Sequence, residues 1–311
     1  AKTMSRYADA LRRCGKPEDA LKRYREALSI HKLRNDATLQ AQTLGNIGTT
    51  LAGMGRSDEA VAHYRDCIAL SKQAGERAAL AQAHHNLAAI LLDQGKNADA
   101  IAEFDKALAI CDELGSRQLG ARILSVLADL HTEAGDQDRA QAARQRRADL
   151  LGQAGDLRQQ VEALGELLDE AMQNEDWEAA LTYQTRILSE AATVLNDAEA
   201  ADHRLRQGIL LIRLGDAAEA VSALTQALLR AQMTNDDERT GRALRHLGQA
   251  ELQAGASADA QGHFQRAVDL YRAKGDERNL ASSLVGLGNA LVQLNRNAEA
   301  KTIFEEAADL R

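Results

Sequence analysis

Aromatic residues make up only 3% of this chain, and proline occurs once, at Pro17. So few rings leave little on which single-stranded bases could stack. With one proline there is almost nothing to interrupt helices, and the abundant alanine, leucine, glutamine and arginine favour them. Positive charge is also in deficit. A formal net charge of −8 and a pI near 5.6 exclude a general nucleic-acid binder, which needs a basic face. No apolar run approaches the roughly 18 to 20 residues that cross a membrane, and no secretory signal opens the chain. Cysteine is sparse: Cys14, Cys67 and Cys111 are odd in number, far apart, and form no CxxC pair. That pattern suits free thiols in a reducing compartment, and so a cytoplasmic location, better than a disulfide scaffold.

Catalytic signatures are missing as well. The sequence holds no GxxxxGK[ST] phosphate loop, no HExxH and no calcium loop. Gly286-Leu287-Gly288 lacks the third glycine and the preceding strand of a dinucleotide fingerprint. His84 and His85 are adjacent, so on a helix they point about 100° apart and do not readily share a metal. His84 falls in a core position of the repeat, and His85 on the adjoining, more open face. These absences predict a non-enzyme without cofactor or metal.

What the sequence does have is repetition. At 311 residues, length alone would suggest about two domains, but an internal period overrides that prior. The segment Leu44–Leu70 places Leu44, Ile47, Gly48 and Leu51, then Ala60, Val61, Tyr64 and Ile68, at helical spacings around a turn at Gly55-Arg56-Ser57. Stepping by forty from Gly15 gives Gly55, Gly95, Gly135, Glu175, Gly215, Gly255 and Asn295, with Glu175 the misfit. Glycine or asparagine suits a helix C-terminus where the backbone turns left-handed. A second turn follows at Asn35, Gly75, Gly115, Gly155, Asn235 and Gly275, slipping by one to Asn196 in the fifth unit. Asp36, Glu76, Ser116, Asp156, Asp236 and Asp276 come next, with Asp197 in the slipped unit, as N-caps or first-turn acids.

Alanine is constant five places after the first turn, from Ala20 to Ala300, and a ring follows four residues later at Tyr24, Tyr64, Phe104, Phe264 and Phe304. The small residue lets two helices approach, and the ring should fill the gap between them. The fourth and fifth units depart from this pattern, with Arg144 and Arg147 in place of a ring and an alanine, and Gln184 in the ring slot beside Tyr183. Residues 137–165 are therefore expected to form a seam, as a hinge, a contact site or a solvated helix that turns its charges outward.

Leu44, Ile47, Gly48, Leu51, Gly55, Ala60 and Tyr64, with their counterparts Leu244, Leu247, Gly248, Gly255, Ala260 and Phe264, resemble the tetratricopeptide repeat. The units are similar to the long variety found in kinesin light chains and in peptide-sensing regulators of Gram-positive bacteria. The family's tryptophan at the start of the first helix and its terminal proline are both absent. The resemblance implies an all-α, right-handed superhelical solenoid of about eight helix-turn-helix repeats, at residues 1–35, 36–75, 76–115, 116–155, 156–195, 196–235, 236–275 and 276–311. It also implies a concave groove lined by the first helix of each repeat, and hence a bacterial interaction protein. The chain starts at Ala1, inside a repeat, so a processed chain or an excised piece of a longer protein is expected.

On the groove positions that the family uses, this sequence places Gln42, Asn46 and Thr49, then His85 and Asn86, then Arg122. Asn46 and Asn86 could each bridge a peptide N–H and C=O, as family members do with such asparagines. Later repeats supply Arg206, Arg242, Arg245, His246 and Asn289 there. Guanidinium groups gathered on one face suit carboxylates or a phosphate. The family's clamp for a free C-terminus is matched only approximately, so an acidic segment of a protein or peptide partner is the expectation. A scaffold holding a partner peptide or helix is the leading expectation. A regulatory solenoid that responds to a peptide or small ligand, and self-assembly through the terminal repeats, remain alternatives.

Overall fold

In the computed structural model, residues 2–310 are described, and their regular structure is entirely helical. The chain divides into two compact units that meet in sequence at Gly155 and Asp156. The first unit holds α1 (Lys2–Arg13), α2 (Pro17–Leu33), α3 (Ala37–Gly53), α4 (Ser57–Ala74), α5 (Arg77–Asp93), α6 (Asn97–Leu114), α7 (Arg117–Glu133) and α8 (Gln137–Gln153). The second holds α9 (Leu157–Gln173), α10 (Trp177–Glu190), α11 (Asp197–Leu214), α12 (Ala217–Met233), α13 (Asp237–Gln253), α14 (Ser257–Lys274), α15 (Glu277–Gln293) and α16 (Asn297–Asp309).

The turn residues do what their periodicity predicts. Gly55 adopts φ +76°, its N–H donates to the carbonyl of Ala52, and the N–H of Arg56 donates to that of Leu51. Glu175 breaks the sequence pattern but not the backbone pattern. It takes φ +58°, as Asn295 takes φ +60°.

The caps are only partly those expected. Asp36, Asp156, Asp236 and Asp276 each accept the N–H of the residue three positions on. Glu76 and Ser116 hold the same place without a side-chain cap, and the Glu76 carboxylate instead accepts from the Thr38 hydroxyl at 2.8 Å. In the slipped unit, α10 ends early and a 3-10 turn covers Ala192–Val194. Asn196 then caps α11 in a reciprocal box with Glu199, while Asp197 lies in the first turn and pairs with Arg230 at 2.7 Å. Asp136 and Asp176, which the repeat pattern did not single out, cap α8 and α10.

The constant alanines are buried throughout, as are Tyr24, Tyr64, Phe104 and Phe264. These rings occupy space that glycine leaves open. A β-carbon on Gly48 would lie 2.9 Å from the Tyr64 ring. Phe264 of α14 is wedged between Gly248 of α13 and Gly286 of α15, where β-carbons would stand 2.8 and 2.2 Å from it. The departures behave differently. Arg144 is half-buried and donates to the Thr132 hydroxyl at 2.7 Å. Gln184 is fully buried in the ring slot beside buried Tyr183, with its amide nitrogen 3.1 Å from His203 Nδ1.

Within each unit, every helix packs against the next. Within the first unit α1 also meets α3 and α3 meets α5, and within the second α11 meets α13 and α13 meets α15. The first helices α1, α3 and α5 of one unit, and α11, α13 and α15 of the other, therefore lie side by side, which places their polar positions on a shared face.

Candidate functional site

A cavity of about 530 Å³ opens on such a face in the second unit. Helix α11 contributes Asp202, Arg206, Ile209 and Arg213, spaced by three or four residues and so on one side of the helix. The first two turns of α13 add Glu238, Arg239 and Arg242, with Asp236 at its cap. Met172 near the end of α9 and Trp177 at the start of α10 complete the wall.

One arginine is held internally. The Arg239 guanidinium donates in a fork to Asp202, at 3.0 Å from Nε and 2.8 Å from Nη2, and its Nη1 donates to Asp236. Asp202 first, then Asp236, keeps Arg239 protonated. The backbone N–H of Arg239, followed by its guanidinium, holds the Asp236 carboxyl below its usual range. The other three arginines are less committed. Arg206 stands 3.6 Å from Asp169. The Arg213 guanidinium lies over the Trp177 ring, 4.5 Å from its centre. Arg242 lines the cavity.

The arginines expected to act together are thus divided. Arg206 and Arg242 share the cavity. Arg245 turns elsewhere: its Nη1 donates to Ser282 at 3.0 Å, and its Nε is buried without a partner. His246 has a buried Nδ1 without a partner. Burial, reinforced by Arg245, pushes its pKa down to about 4, so it is neutral near pH 7 and adds no positive charge. Asn289 is exposed on α15 and does not line the cavity.

The first unit carries a polar pocket of about 480 Å³, lined in part by Asp9, Thr38, Gln42, Thr43 and Asn46. Asp9 already accepts the Tyr24 hydroxyl. Burial, then this bond, pushes the Tyr24 pKa up to about 12. The Asn46 amide lies 3.5 Å from the same carboxylate. Thr49 donates to the Gly45 carbonyl at 3.0 Å and shares a 2.9 Å hydrogen bond with the Tyr64 hydroxyl. Asn86 accepts from Gln82 at 2.8 Å. The His85 ring packs 5.6 Å from that of Phe104, and burial, then the charge of Arg122, lowers its pKa. Arg122 itself is exposed on α7. His84 sits in the core as expected, with its Nδ1 2.5 Å from Glu103. No cluster of three or more His, Cys, Asp or Glu able to hold a metal occurs among the described residues, and no helix is long and apolar enough to cross a membrane.

Sequence reasoning missed Met172, Trp177, Asp202 and Arg239 as cavity residues. Trp177 offered the one usable signal, since it is the only tryptophan in the chain and opens a helix rather than lying on a core face.

Two family profiles, both described as tetratricopeptide repeat, match the sequence, one over residues 1–73, 79–157 and 197–273 and the other over residues 280–311. No curated protein matches it. Among solved structures, the apo form of RapI is similar at 13% identity with a TM-score of 0.50, covering 98% of each chain. The apo quorum sensor NprR from B. thuringiensis is similar at 14% identity, covering 99% of this chain and 86% of that one, with a TM-score of 0.39. Aspartyl phosphate phosphatase F from Bacillus subtilis follows at 14% identity, covering 99% and 69%, with a TM-score of 0.44. At such identities the likeness to RapI speaks for the fold alone.

Proposed function

The chain belongs to the tetratricopeptide repeat family, and from that premise we propose that it is a non-catalytic scaffold that captures an acidic segment of a protein or peptide partner. The observation that carries this reading is the cavity of the 156–311 unit, where Arg206, Arg213 and Arg242 line one space and Arg239 is fixed by Asp202 and Asp236. Carboxylates entering there would meet guanidinium groups on a face otherwise bounded by rigid helices, where charge-assisted forks are strongest. The Asn46 and Asn86 amides of the first unit serve the same role more generally, as backbone anchors for an extended chain.

The test is direct binding of blocked acidic peptides and of neutral glutamine counterparts of equal length. Acidic peptides should bind more tightly, and weaken as salt rises, because the charges at the cavity mouth are screened. The double variant Arg206→Glu, Arg242→Glu should lose at least about a hundredfold in affinity, on the order of tenfold or more for each charge reversed. Full affinity in that variant, with unchanged helical content, would overturn the assignment of the cavity. Arg245→Glu should have a much smaller effect, since that side chain is directed to Ser282.

A further inference from the structure

The arginine cavity is not uniformly polar. Met172, Trp177 and Ile209 line it alongside the guanidinium groups, and all three are only half-buried, so apolar surface is left for a ligand to cover. Trp177 joins the two characters, because the Arg213 guanidinium rests over its ring. Charge sets the other half of the specificity. The lining carries Arg206, Arg213, Arg239 and Arg242 against Asp202, Asp236 and Glu238, and the first two of those carboxylates are engaged by Arg239. The lining itself has one positive charge in excess, Asp169 at 3.6 Å from Arg206 offsets part of it, and a single carboxylate is therefore the most that the cavity balances. A run of acids would meet Asp202, Asp236 and Glu238 as well, and would leave the apolar wall uncovered.

We infer that the cavity selects a segment in which a single acidic residue is flanked by large apolar side chains, the carboxylate going to Arg206 and Arg242 and an apolar group covering Met172 and Trp177. This rests on the peptide-capture reading above and narrows its ligand from any acidic stretch to an amphipathic one. Shape supports the same choice. Ligand pockets of several hundred Å³ are mainly apolar with a few placed polar groups, and this cavity of about 530 Å³ exceeds what a lone carboxylate group fills.

The only tryptophan in the chain lies in that wall, so its emission reports the event without a label. Three blocked peptides separate the contributions: Gly-Gly-Leu-Glu-Leu-Gly-Gly, the same peptide with glycine in place of both leucines, and the same peptide with glutamine in place of glutamate. Calorimetry should give the first an affinity about tenfold or more above the glycine peptide, the gain expected from burying one leucine side chain, and about tenfold or more above the glutamine peptide, the gain from a charge-assisted pair with the guanidinium groups. Trp177 emission should shift with the first peptide. Met172→Gln should weaken the leucine peptide by a clearly larger factor than the glycine peptide, narrowing the gap between the two. Equal affinity for the leucine and glycine peptides would overturn this inference and leave acidic capture standing. Equal affinity for the glutamate and glutamine peptides, or binding of none of the three, would overturn both. Tight binding with no change in Trp177 emission would place the ligand elsewhere and overturn the inference.

Discussion

At the scale of single residues, two positions carry opposite lessons. Glu175 holds a left-handed backbone, φ +58°, with a β-carbon that costs about 1–2 kcal/mol in that region. The turn imposes its geometry whatever residue occupies it. Glu175→Gly should therefore stabilise the protein by about 0.5–1 kcal/mol, the relief of strain less the greater freedom of glycine in the unfolded chain. The check is a rise of a few degrees in the thermal midpoint, and a fall would show that the Glu175 side chain makes a contribution of its own. His246 illustrates a hidden cost. Its pKa falls from 6.5 to about 4 in the folded protein, by burial first and then by the charge of Arg245. Between those values the unfolded chain binds the proton and the folded one does not, so stability is full above about pH 6.5 and declines as the pH falls toward 4. The loss amounts to up to about 3 kcal/mol. Denaturation at pH 7 and pH 5 should show a smaller difference for His246→Gln than for the native sequence. An identical difference would assign the acid sensitivity to other groups.

At the scale of elements, packing turns on rings set into glycine gaps. Phe264 fills the space left by Gly286 of the neighbouring repeat, where a β-carbon would lie 2.2 Å from the ring. Gly286→Ala should destabilise by about 1–3 kcal/mol through overpacking. Combined with Phe264→Leu, the two losses should add to less than their separate sum, because the smaller side chain vacates the contested space. Additive losses in urea unfolding would mean that the ring and the glycine do not compete. Most of this architecture was legible in advance. The left-handed turns, the buried alanines and the plugging rings all follow from local spacing, and local spacing is what sequence displays. The caps were legible only in part, since a side chain such as Glu76 can prefer a hydroxyl on the preceding repeat to its own helix N-terminus. The cavity was the least legible. Whether Arg242 or Arg245 faces it depends on a rotation of three residues around α13 and on where Ser282 of α15 lies. Trp177 joins the wall from a helix start that the groove positions do not include.

At the scale of the molecule, each compact unit is built by neighbours touching neighbours. Links between repeats recur at nearly the repeat length: Arg77 to Glu113, Gln94 to Asp58, Ser257 to Gln293 and Arg239 to Asp202. A chain tied in this way should tolerate the removal of one whole period. Deleting residues 76–115 joins Gly75 to Ser116, a turn glycine to a residue at the position that starts the next first helix. The shortened protein should keep its helical content per residue by circular dichroism and should still unfold cooperatively, whereas a deletion of half a period should not.

The short reach of these links also governs how the fold is first acquired. Relative contact order is low when partners lie within one or two helices, and loop closure then asks for little entropy before contacts form. As the chain emerges from a ribosome, the first hairpin of each unit can close as soon as its second helix is out, and each later one has a finished neighbour to settle on. No step waits for the far end of the unit. Assembly can follow the direction of synthesis, one ring and one glycine gap at a time.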